Sequence, residues 1–96
     1  MIKRENAKDG KVKLTFVQQY DEKSPIYVLG DFNEWSPIAT KLVKRTNGTA
    51  SATITVDGNQ KIRFRYRNGE GVWFNDEAAD AYEAGEAGDP NSIVNV

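Results

Sequence analysis

The segment Lys61-Ile62-Arg63-Phe64-Arg65-Tyr66-Arg67 alternates cationic and apolar side chains without a fault. Successive side chains of an extended chain point to opposite faces, whereas a helix would scatter these seven residues around its circumference. Ile62, Phe64 and Tyr66 therefore share one face, and the rest of the chain has to supply a second apolar layer to cover it. Val12, Leu14 and Phe16 offer one with the same period of two. Residues 25–30 form a nearly continuous β-branched and aromatic run, the mark of a strand covered on both faces. Residues 41–45, 50–56, 72–75 and 92–96 read as further short strands, separated by the turn signals Asn47-Gly48, Asp57-Gly58-Asn59 and Asn68-Gly69-Glu70-Gly71.

Seven short strands predict an all-β sandwich over residues 11–96, preceded by a flexible arm over 1–10. The only helical pattern is Asp76–Tyr82, two turns at most, with acidic residues near its start. Glu83–Gly88, polar and Gly-rich, is expected to be the most mobile loop.

Several chemistries are closed to this chain. It has no Cys and no His, which removes disulfides, thiolate and histidine metal sites, the Ser-His-Asp and Cys-His triads and the imidazole base. No metal, cofactor or catalytic residue is expected, and a non-catalytic binding module is favoured over an enzyme. A net charge of −1 makes neither nucleic acid nor an anionic membrane a default partner. No apolar run reaches the ~20 residues of a bilayer span, and the charged start Met1-Ile2-Lys3-Arg4-Glu5-Asn6 leads to no apolar signal region, so a cytoplasmic location is expected. All thirteen basic residues precede residue 70, and half of the fourteen acidic ones follow residue 69. That split predicts a C-terminal segment that folds back onto a basic face, and it makes Asp76–Glu86 the expected partner of Arg65 and Arg67.

The sharpest local pattern is Gly30-Asp31-Phe32-Asn33-Glu34-Trp35-Ser36-Pro37, where a strand ends in Gly and aromatic and polar residues follow before a Pro. It resembles the Gly-[Asp/Ser]-Phe-Asn-x-Trp signature of the glycogen- and starch-binding modules of isoamylases, glycogen-branching enzymes and the β subunit of AMP-activated protein kinase. Ile62-Arg63-Phe64-Arg65-Tyr66, Trp73 with Asn75-Asp76, and Asn91–Val96 are similar to that family's second half, in the same order. The likeness spans about residues 11–96 and is closer still to the stand-alone bacterial proteins made only of this isoamylase-type early-set domain. It implies an immunoglobulin-like fold and binding of α-1,4-glucans, with Trp35 and Trp73 stacking on sugars and with Arg63 and Asn91 bonding their hydroxyls. Two departures are evident. The turn Arg67-Asn68-Gly69-Glu70-Gly71 stands where the family usually has Val-Asp-Gly, and the segment 83–88 lacks the Pro and Phe that the stand-alone relatives tend to have there.

The residue types agree with that chemistry, because a glucose ring offers an apolar face to an indole and a rim of hydroxyls to polar side chains. Plainer readings compete. A Trp in a small β-domain is commonly a core residue, although Trp35 lies beyond a strand between polar neighbours. Of Trp73 and Phe74, one points outward. Arg63 can be part of a solvated strand face, and Asn91 can cap a turn after Pro90. Phe32 reads as core and Asn33 as a turn former bonding its own backbone. Alternative functions are a protein-interaction module docking to a glycogen-metabolising enzyme without a sugar site of its own, and a single-stranded nucleic-acid binder. The second is weakened because the strand directs the arginines and the aromatics of 63–67 to opposite faces. Phe16, Val28, Phe32, Ile54, Phe64 and Val94 are expected in the core, and the two indoles on one surface.

Overall fold

The computed structural model describes residues 1–36, 38–85 and 89–96. Residues 86–88, half of the expected mobile loop, lie outside the described residues. The strands are β1 (Ile2–Asn6), β2 (Lys11–Gln19), β3 (Ile26–Gly30), β4 (Val43–Lys44), β5 (Thr49–Asp57), β6 (Lys61–Asn68), β7 (Trp73–Phe74), β8 (Ala81–Ala84) and β9 (Pro90–Asn95). They form two antiparallel sheets, ordered β1-β2-β5-β4 and β3-β6-β9-β8, with β7 also paired to β6. Among the described residues no helix is long and apolar enough to cross a membrane.

The alternation that opens the sequence sets this packing. Ile62, Phe64 and Tyr66 turn inward from β6 and meet Leu14 and Phe16 of β2, with Val28 and Val94 beside them. Phe16 lies at the centre of the aromatic cluster, its ring 4.9 Å from Phe64 and 6.4 Å from Tyr66. Burial of rings this large dominates the core energetics. Phe16, Val28, Phe64 and Val94 are buried as expected. Phe32 and Ile54 are only half-buried and pack against the core from its margin.

Two expectations are corrected. Residues 2–6 are an edge strand rather than a free arm, because Ile2 pairs opposite Phe16 and packs on the core. Residues 76–82 are not helical: the Asp76 carboxylate accepts the Ala78 N–H at 2.8 Å, which turns the chain, and 81–84 then pair with β9. Two helical turns cannot repay their own nucleation cost, whereas pairing satisfies a row of backbone groups on the edge of β9. These two segments raise the count to nine strands among the described residues.

The outer face of the five-stranded sheet positions the candidate site. Register places Arg63 opposite Ile93, Arg65 opposite Leu29, Arg67 opposite both Tyr27 and Trp73, and Glu83 opposite Asn91. Directly opposed residues share a face, so Arg63, Arg65, Arg67, Trp73, Glu83 and Asn91 all lie on the outside of this sheet.

Candidate functional site

The turn after β3 is built by one residue at a time. Gly30 is required because a Cβ there would collide with the Arg63 carbonyl and lie 2.7 Å from the Phe32 ring. Asp31 accepts the Arg63 backbone N–H at 3.1 Å through Oδ2 and the Trp35 indole N–H at 3.3 Å through Oδ1. Phe32 stacks on Phe16 at 5.6 Å between centroids. Asn33 clamps the turn: its Oδ1 accepts the Gly30 N–H at 3.0 Å, and its Nδ2 donates to the Val28 carbonyl at 2.9 Å and to Thr40 Oγ1 at 3.1 Å. Glu34 and Trp35 then both adopt left-handed backbone, with φ of 56° and 59°. Two consecutive residues of this kind without a Gly are costly, and such strain survives only where the surroundings over-determine it. The outcome is a half-buried Trp35 that lines a cleft.

That cleft, of about 470 Å³, is lined by Asp31, Trp35, Arg63, Glu83, Ala84, Gly85 and Asn91. Three of the four residues singled out in the sequence thus meet in one place. Its polar rim is tied together electrostatically. Glu83 accepts from Lys61 Nζ at 2.6 Å and from Arg63 Nε at 2.8 Å, and Arg63 Nη1 lies 3.5 Å from Asp31. Hydrogen bonds from Lys61 and Arg63 hold the Glu83 carboxyl down at about 2, and the same contact with Glu83 pushes the Arg63 guanidinium further up. Asn91 stands beside Gly85, where an added Cβ would come within 3.3 Å of the Asn91 amide nitrogen.

Trp73 does not line this cleft but lies further along the same outer face. It is 41% exposed, and the Arg65 guanidinium carbon lies 5.1 Å from its ring centroid. Arg63 and Arg65 are two residues apart on β6, about 7 Å along the strand. Trp73 belongs to a segment anchored by Asp76, a fully buried carboxylate. Asp76 Oδ2 accepts from the Tyr66 hydroxyl at 2.6 Å and from the Met1 amino group at 2.8 Å, while its own N–H donates to Ser92 Oγ at 3.1 Å. Burial pushes the Asp76 carboxyl up, but the bonds it accepts from the Met1 amino group, the Tyr66 hydroxyl and the Ala78 N–H outweigh it and hold the group below its ordinary value. Burial and the bond to Asp76 push the Tyr66 phenol far up.

Sequence reasoning did not find Asp31 and Glu83 as members of the cleft. The acidic surplus after residue 69 pointed to a carboxylate such as Glu83, but only the strand register selects it. The expectation that Asp76–Glu86 neutralises Arg65 and Arg67 is corrected for the described residues of that segment, Glu86 lying outside them. Asp76 takes the Met1 amino group, Asp80 takes Arg4, and Glu83 takes Lys61 and Arg63. Neither Arg65 nor Arg67 forms an ion pair with any described residue.

Compared with known proteins, the chain matches no family model and no curated protein.

Proposed function

We propose that the outer face of the five-stranded sheet is a non-catalytic binding site for α-1,4-glucans such as glycogen, starch and maltooligosaccharides. The observation that carries this reading is the convergence of Trp35, Arg63 and Asn91 on one cleft, with a second exposed indole, Trp73, on the same face. An indole plate beside a rim of carboxylate, guanidinium and amide groups suits a ring with an apolar face and a hydroxyl edge. The strained backbone at Glu34 and Trp35 supports it, since strain of this kind concentrates at ligand clamps. Glu83 does not suit the acid role in hydrolysis. Glycosidases need one carboxyl kept protonated near neutral pH, whereas Glu83 is held at about 2 by its cations.

Stacking one sugar face on an indole removes roughly 80 Å² of apolar area, about 2 kcal/mol, and each sugar hydrogen bond adds about 1 kcal/mol. Two stacks and two or three such bonds give about 6 to 7 kcal/mol before the losses of ordering the ligand are subtracted. Dissociation constants from about one millimolar down to some tens of micromolar are expected for short maltooligosaccharides. Glycogen in an affinity gel should retard the protein, with Trp35→Ala as control. Titration with maltoheptaose should shift the indole fluorescence, and no shift up to about ten millimolar would overturn the reading.

A further inference from the structure

The cations of β6 fall into two groups. Lys61 and Arg63 share Glu83, and Arg63 also faces Asp31. Arg65 and Arg67 form no ion pair with any described residue, although they sit on the same face about 7 Å apart. Arg65 lies against the Trp73 indole, and its Nε is buried with no hydrogen-bond partner among the described residues. Arg67 stands directly opposite Trp73. Its Nη2 packs over the turn at Gly71, where φ is 83° and an added Cβ would lie only 3.3 Å away. Two like charges at this spacing repel, and a buried donor without an acceptor is costly. A compact dianion beside Trp73, between the two guanidinium groups, relieves the repulsion.

We propose that this end of the face binds the phosphomonoester of a phosphorylated glucan, with the sugar ring stacked on Trp73 and the phosphate oxygens accepting from Arg65 and Arg67. The inference rests on the reading that Trp73 carries a glucose. A phosphomonoester holds nearly two negative charges at pH 7 and three acceptor oxygens, so it engages two guanidinium groups at once. A nucleic-acid backbone spreads single charges along a track and needs a continuing row of cations. Here the row ends at Arg63, which two carboxylates already compensate. The neutral part of the glucan thus belongs to the Trp35 end and the phosphate to the Trp73 end.

The test is a titration of the whole chain with maltoheptaose and with maltoheptaose carrying one 6-phosphate, at about 20 mM and about 200 mM salt. The phosphorylated ligand should bind about tenfold more tightly at low salt, with an advantage of less than about threefold at high salt, while maltoheptaose itself stays unchanged. Arg67→Gln should erase the difference between the two ligands, and Arg67→Lys should restore part of it. Equal affinities in the unmodified protein at low salt would overturn the phosphate site and leave the glucan reading standing. If neither ligand binds, the glucan reading falls and this inference with it. Tighter binding of an oligothymidylate than of the phosphorylated sugar would overturn it in favour of nucleic acid.

Discussion

The Trp35 end and the Trp73 end of the outer face use the same parts, an indole beside an arginine of β6, and secure them in opposite ways. Trp35 is placed by a short turn whose own residues do the work: Gly30 clears the space, Asn33 clamps the backbone, and Asp31 holds the indole N–H. Its arginine, Arg63, is neutralised. Trp73 is placed from a distance, by the register of β7 on β6 and by a buried carboxylate three residues on that binds Tyr66 and the Met1 amino group. Its arginine has no described counter-charge. One indole therefore depends on a local motif, and the other on long-range packing.

Asp76→Ala should give the largest effect and should break the symmetry between the ends. It strips the buried Tyr66 hydroxyl of its acceptor and frees the chain that carries Trp73, at a cost of about 3 kcal/mol and a melting point lowered by roughly 15 °C. Calorimetry measures this, and Trp73 should become the more mobile indole by NMR while Trp35 keeps its spectrum. A melting point within a few degrees of the parent would show that the Trp73 end does not depend on this anchor.

Trp35→Ala should act on binding instead of folding. Loss of one stack removes about 2 kcal/mol, a maltoheptaose affinity about thirtyfold weaker, with little change in melting temperature because the turn is held by Asn33. Isothermal titration checks the first half and calorimetry the second.

Gly71→Ala sharpens the other end. A Cβ at φ of 83° costs about 1 kcal/mol and crowds Arg67, whereas Gly48→Ala, at φ of 79° with open space around it, carries only the conformational part. Chemical denaturation should rank the two variants in that order.

Glu83→Gln should reduce the contrast in charge by leaving Lys61 without its carboxylate and Arg63 with Asp31 alone. As these groups are well exposed, the melting temperature should barely change. Anionic ligands, however, should lose their preference for the Trp73 end, as chemical-shift mapping would reveal.

The smallest effect concerns protons. The folded value of the Glu83 carboxyl, about 2, lies below its ordinary 4.5. Its contribution to stability is therefore present above the ordinary value and lost as pH falls through about 2. A carbon-detected titration of Glu83 should show a midpoint near 2, moving upward in Lys61→Met.

The sandwich was legible because periodicity is a local property: the perfect alternation of 61–67 and the turn residues between runs leave few ways to bury Phe16, Phe64 and Tyr66. The turn that presents Trp35 was legible for a similar reason, since Gly30, Phe32 and Asn33 act on their own neighbours. What stayed hidden depends on pairing. Ile2 is a lone apolar residue that marks a strand only because Phe16 faces it, and the alanines of 78–84 suit a helix until β9 offers them an edge.

The charges show the same division. The string of residues specified that Lys61, Arg63, Arg65 and Arg67 share a face and that an acidic surplus would lie after residue 69. Which carboxylate meets which cation was decided by the fold alone. Coulomb attraction and hydrogen bonding act over a few ångströms, and that spacing is set by strand register. Asp76 went to the Met1 amino group and the core, Asp80 to Arg4, and Glu83 to the first two cations of β6, leaving Arg65 and Arg67 without a described partner beside an exposed indole.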